Sequence, residues 1–130
     1  MATDNSEKTL KVLFSRHPEI QLAILFGSLA NGTARAASDI DIAVQARNPL
    51  SAAQITLLMN EIADVIGRPV DLIDLCVAGE PLLGEILKGR RIVGDDAAHA
   101  RLLTRHLIDA ADFLPLQQRI LKERRDAWIH

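Results

Sequence analysis

The 130-residue sequence predicts a single layered domain of the α/β or α+β class. Three observations carry that prediction. Helix and strand signals alternate along the whole chain. The run from Ile20 to Phe26 is almost continuously apolar and too short for a free-standing helix. From Asp39 to Val44 the order Asp, Ile, Asp, Ile, Ala, Val keeps the two-residue period of a strand. A chain of this length holds one core with no room for a second, so the expected division is a core of about residues 18–94 and a C-terminal helical segment of about 95–130.

Asp4 and Glu7 have capping-box spacing ahead of Leu10, Leu13 and Phe14, which predicts a first helix from about Ser6 to Arg16, closed by Pro18. Ile20 to Phe26 is the central strand, and Gly27-Ser28 breaks it. Leu29 to Ser38, rich in alanine and small polar residues, is expected to begin as a short helix and open into a loop. After the Asp39 to Val44 strand, Asn48-Pro49 marks a turn. Ser51 and Gln54 form another capping box for a helix through about Ile66, with Gly67 as its C-terminal cap. Val70 to Leu75 reads as a third strand, and Pro81 opens a short helix to Lys88, with Gly89 behind it. Arg90 to Val93 is a fourth, edge strand. Asp95-Asp96 then favour the start of a long helix and Arg124-Arg125 its end, with Pro115 expected to bend or split it.

The formal net charge of −2 gives no general attraction to nucleic acid, so no direct DNA binding is expected. Cys76 is the one cysteine; with no partner for a disulfide, it is expected as a buried free thiol in a reducing compartment. Met1 to Lys8 lacks the apolar segment of a signal peptide. The longest apolar run, Leu22 to Phe26, is far short of the ~20 residues of a membrane span. These features predict a cytoplasmic protein without membrane partners.

Asp39 and Asp41 share one strand face, about 6–7 Å apart. Two like charges in a partly desolvated place raise each other's pKa and cost stability. A divalent cation reverses the balance, because hard cations take carboxylate oxygens. Two such ions about 3.5–4 Å apart suit an in-line displacement at phosphorus. The next strand offers Asp71 and Asp74 on opposite faces. Asp71 is the expected third ligand, while Asp74 lies near the strand end and faces away. Gly27 ends a buried strand in a tight turn where backbone can approach a phosphate, and Ser28 adds a hydroxyl.

Gly27-Ser28, ten intervening residues, then Asp39-Ile40-Asp41 resembles the signature of the DNA polymerase β-like nucleotidyltransferase superfamily. The fuller text GSLANGTARAASDIDIAV is similar to the minimal nucleotidyltransferase branch, and RPVDLIDL resembles the strand bearing that family's third carboxylate. The resemblance covers roughly Ile20 to Gly94. It implies a nucleotidyltransferase fold, a mixed four-stranded sheet flanked by helices with a long C-terminal helix. It implies transfer of AMP from Mg²⁺-bound ATP, with Asp39 and Asp41 binding both ions and Asp71 completing the site as ligand or base. Gly27 and Ser28 would hold the triphosphate. Leu29 and Asn31 depart from the pattern, since many relatives carry arginine there.

The same resemblance implies a partner: a HEPN-domain ribonuclease toxin, neutralised in a hetero-oligomer by adding AMP to a tyrosine. The chain contains no tyrosine, so any tyrosine acceptor comes in trans. The rival readings are an antitoxin that masks the toxin by binding without catalysis and a small-molecule enzyme like those that modify aminoglycosides.

The remaining charged residues are read as ordinary surface. His99 and His106 are seven apart and lack the spacing of a two-histidine metal site, and His17 and His130 are expected in solvent. Arg101 and Arg105 are read as a solvated face, whereas Arg90-Arg91 falls near the presumed site. Leu102, Leu103, Leu107, Ile108, Ala111 and Leu114 form an apolar stripe expected to pack mostly on the sheet. The apolar residues after Pro115 are harder to bury and suggest a protein contact.

Overall fold

The computed structural model describes residues 2–27 and 39–129. In chain order these form α1 (Ala2–Phe14), β1 (Ile20–Phe26), β2 (Ile40–Ala46), α2 (Ala52–Ile66), β3 (Val70–Asp74), α3 (Leu82–Leu87), β4 (Arg90–Val93) and α4 (Asp96–Ile129). The strands make one mixed sheet in the order β3-β2-β1-β4. β1 runs antiparallel to both β2 and β4, while β3 runs parallel to β2 through the α2 crossover. The expected architecture holds, and the expected central, buried position of Ile20–Phe26 in the sheet follows from its apolar run on both faces.

Each face of the sheet has its own core. Leu25, Ile40, Ile42 and Val44 pack under α1 and α2, with Leu10, Leu13, Phe14, Leu58 and Ile62. Leu22, Ile24, Phe26 and Ala43 pack on the opposite face with Leu75, Leu83, Ile86 and Leu102 from the α3 and α4 side. A fully buried leucine or isoleucine contributes roughly 1.5–3 kcal/mol relative to an exposed one, so these two layers hold the strands in register.

Several local readings are borne out atom by atom. Ser51 accepts from the Gln54 amide while the Gln54 side chain accepts from the Ser51 amide, a complete capping box. Gly67 closes α2 with φ +77. Asp95 accepts from the Ala98 amide at 2.8 Å and so caps α4. Other readings are corrected. α1 begins at Ala2, so Asp4 lies inside the helix rather than capping it. α4 is one unbroken helix through Pro115, so the expected split does not occur there. A proline removes one amide donor, and in a helix of 34 residues the bonds on either side carry the backbone past it.

The largest departure concerns the apolar stripe of α4. Ala98 and Leu102 are buried, but Leu103, Leu107 and Ile108 are 42%, 60% and 59% exposed. The first half of the helix touches the body, mainly at β1 and α3 and through Arg105 at Leu75 and Ala78, while the residues from Gln118 to Arg125 are all exposed. At 1.5 Å per residue it is about 50 Å long, which exceeds the ~30 Å span of a small domain.

Candidate active site

The sheet topology brings three strand ends to one edge. β1 finishes at Phe26-Gly27, while β2 and β3 both start there, at Ile40 and Val70. The Ile40 amide donates to the Pro69 carbonyl at 2.9 Å, which ties the two strand starts together. Asp41 is in register with Phe26 on one side and with Asp71 on the other. Asp41 and Asp71 therefore stand side by side on the face that carries Ala43 and Ile73, with Asp39 just before the strand on the same side. α3 and the start of α4 cover the β1 side of this face. Further along the same face Ala43 and Ile73 are covered by the cluster of Leu75, Leu83, Ile86 and Leu102, whereas Asp71, at the start of β3, is exposed.

The electrostatics follow from this crowding. The Asp41 carboxyl is held above its ordinary value of 3.8, first by burial and then by the charges of Asp71 and Asp39. The cluster thus has an excess of negative charge, and all of its donors are hard carboxylate oxygens. That is the donor set of a divalent cation such as Mg²⁺. Among the described residues no group of three His, Cys, Asp or Glu side chains is placed so that it could hold a metal ion. Asp41 and Asp71 are nonetheless register neighbours, with Asp39 two residues before Asp41.

Gly27 has a role that spacing alone did not reveal. Its φ is +78, a conformation that side-chain-bearing residues rarely adopt. A β-carbon there would run into the Asp41 carboxylate. The glycine therefore serves the metal-binding candidate directly, by leaving room for its carboxylate. Ser28 and the Leu29 to Ser38 stretch lie outside the described residues. Beside Gly27 opens a cleft of ≈ 270 Å³ lined by Phe26, Leu82, Glu85, Lys88 and Gly89. Sequence reading missed Lys88, the one cation among these lining residues, because a lone lysine at a helix end carries no pattern. It pairs with Glu85 at 3.1 Å.

Asp74, the other carboxylate of β3, faces away as expected. It is 6% exposed and accepts from the amides of Leu50 and Cys76 at 2.8 and 2.9 Å. Its role is to fix the turns after β2 and β3. Cys76 beside it is only partly buried and donates to the Ala46 carbonyl. Burial and the Asp74 charge push its thiol pKa up, which makes it a poor nucleophile.

The arginines near the site are engaged elsewhere. Arg90 pairs with Glu7 of α1 at 2.7 Å. Arg91 pairs with Asp96 at 2.8 Å and donates to the Asp95 carbonyl, bracing the start of α4. Arg105 donates to the carbonyls of Leu75 and Ala78. His106 meets the buried carboxylate of Glu80. His17 is not simply solvated, because it lies between Glu19 and Glu61 at 3.1 and 2.9 Å. A sequence cannot show such pairs, whose members are up to 83 positions apart.

A family profile described as "Polymerase beta, Nucleotidyltransferase" matches residues 8–98, the segment that builds this site. The chain belongs to the polymerase beta nucleotidyltransferase family. Its similarity to named members is substantial. It is 36% identical over 91 residues to "Protein adenylyltransferase MntA" of Shewanella oneidensis; the match takes in 69% of this chain and 66% of that protein's length. A toxin–antitoxin crystal structure with AMP-PNP is similar with a TM-score of 0.82 and 27% identity, covering 92% of this chain and 98% of the other. A tri-AMPylated Shewanella oneidensis HEPN toxin in complex with its MNT antitoxin contains a chain similar at a TM-score of 0.76 and 26% identity, covering 96% of this chain and 99% of that one. No described helix is long and apolar enough to cross a membrane.

Proposed function

We propose that this nucleotidyltransferase transfers AMP from Mg²⁺-bound ATP to a tyrosine of a HEPN toxin and so acts as its antitoxin in the cytoplasm. The observation that carries the reading is the register of Asp41 beside Asp71, with Asp39 adjacent and Gly27 making room for the Asp41 carboxylate. Membership of this family, and similarity to an adenylyltransferase and to an antitoxin solved with an AMPylated toxin, support the reading.

Asp39 and Asp41 would hold two Mg²⁺ ions, with Asp71 as the third carboxylate. Bound there, the ions would neutralise the triphosphate and the charge that develops on it during displacement. The chain's own residues supply the rest. The turn at Gly27 would bring backbone close to the phosphates, with the Ser28 hydroxyl as the further donor that the sequence motif implies. Asp71, exposed on the open side of the sheet, takes the proton of the acceptor hydroxyl. The acceptor oxygen bonds to the α-phosphorus, the bond from that phosphorus to the bridging oxygen breaks, and pyrophosphate leaves with the electron pair. The chain itself has no tyrosine, so the acceptor is a partner residue.

Intact-mass spectrometry of the toxin encoded beside this protein, after incubation with the protein, ATP and Mg²⁺, tests the reading. Additions in steps of one AMP, absent with Asp39→Asn/Asp41→Asn, are expected, and peptide mapping should place them on tyrosine. A stable complex with no mass addition would overturn transfer and leave an antitoxin that masks by contact.

A further inference from the structure

We infer that the free side of α4 is a seam that docks an amphipathic helix of the partner toxin, one that carries carboxylates along its contact edge. The inference rests on the proposed function only in naming the toxin as the partner. Its grounds are the geometry and charge of α4.

Among the described residues, side-chain hydrogen bonds from α4 to the body end at Arg105 and His106, which clasp Leu75, Ala78 and Glu80. Beyond them the residues from Gln118 to Arg125 are all exposed. Yet the sequence keeps an ordered apolar pattern along this length. Leu107, Leu114, Leu121 and Trp128 recur every seven residues, with Leu103 and Ala110 on the intermediate row and the polar Gln117 and Arg124 continuing it. That 3.5-residue repeat is the one by which a helix packs lengthwise on another helix. It lies about a third of a turn away from Ala98 and Leu102, which face the body. Leu107 and Leu121 are 60% and 58% exposed, large apolar groups at positions the domain itself does not use.

Charge selects the occupant. The carboxylates of this stretch, Asp109, Asp112, Glu123 and Asp126, all fall by helical position on the side away from the seam and its two flanking rows. The seam and flanks instead carry Arg124 and Arg125, both exposed. A second copy of α4 would offer only the same seam and flanks, which from Leu103 onward carry no carboxylate whether the copies run parallel or antiparallel. Neither arrangement supplies a carboxylate. A helix of opposite charge does, and edge charges of this kind choose partners in helix pairing. The similar toxin–antitoxin chain aligns over 92% of this one, which leaves about ten residues unmatched, fewer than a third of α4. The family profile stops at residue 98, so most of α4 is extra to the catalytic domain and still present in a chain solved with its toxin.

The test uses the full chain and the toxin encoded beside it. Leu107→Glu and, separately, Leu121→Glu are measured for toxin binding by calorimetry, with ATP binding and the thermal melt followed alongside. Leu121 lies beyond the last contact with the body, so its substitution leaves the core untouched. Each is expected to weaken toxin binding at least tenfold with ATP affinity and melt unchanged, and Arg124→Glu/Arg125→Glu is expected to weaken it and flatten its salt dependence. Unchanged toxin binding in both leucine variants would overturn the inference. So would sedimentation showing that the wild-type chain alone dimerises through a contact that Leu121→Glu breaks. Loss of binding in the variants while the wild type transfers no AMP would keep the docking seam and sink the transfer reading; transfer with intact binding in the variants would do the opposite.

Discussion

Replacing Asp41 with asparagine should stabilise the metal-free protein while abolishing its response to Mg²⁺ and ATP. Asp41 lies across one strand spacing from Asp71 and two residues from Asp39. At about 5 and 6.5 Å in a water-like dielectric, the two repulsions are about 0.8 and 0.6 kcal/mol, and partial burial of Asp41 adds to them. Solvent screening around the exposed Asp71 keeps the sum near about 1–2 kcal/mol. For a domain of this size that is about 3–8 °C in Tm. The pH dependence has a definite sign. The folded pKa of Asp41 is raised, so between its ordinary value of 3.8 and that raised value the folded state binds more proton than the unfolded one. Stability from this group therefore falls as pH rises through that window, and the penalty is complete above it. The advantage of Asp41→Asn should be full at pH 8, shrink as pH falls toward 3.8, and drop by more than half in 1 M NaCl. The assay is a thermal melt in EDTA from pH 4 to 8, repeated with Mg²⁺ and ATP. At one hundred times its Kd the ligand should stabilise the wild type by about 2.7 kcal/mol and the variant by almost nothing. A variant less stable than wild type in EDTA at pH 8, or one that Mg²⁺ and ATP stabilise as much as wild type, would refute the reasoning.

Two further substitutions separate structure from site. Gly27→Ala puts a β-carbon against the Asp41 carboxylate at φ +78; AMP transfer should fall at least a hundredfold, with a stability loss of about 1–3 kcal/mol by urea titration. Asp74→Ala removes a buried acceptor of two backbone amides; stability should drop by about 2–4 kcal/mol while nucleotide affinity, measured by calorimetry at low temperature, stays within twofold.

How much of this was legible beforehand varies with the range of the interaction. Strand identity, the α2 capping box and the Gly67 cap depend on residues within a few positions of one another, and spacing alone determines them. The pairing of Asp39 with Asp41 is local in the same sense, since a two-residue period puts both on one face. Asp71 and Asp74 are seen from spacing to face opposite ways, and Asp71 is favoured because it interrupts the apolar pattern earlier, but which of them shares the face of Asp41 depends on the register between strands.

Tertiary structure alone decided the rest. That Asp41 stands in register with Asp71, and that Gly27 is required by a carboxylate fourteen positions later, depend on three strand ends meeting across a sheet. Arg90 and Arg91, which looked poised for phosphate, are held by Glu7 and Asp96 because β4 returns beside α1 and the start of α4. The apolar stripe of α4 illustrates the limit most clearly. Periodicity shows that a helix has an apolar face, but burial depends on whether another surface lies within reach, and this helix outruns its own domain.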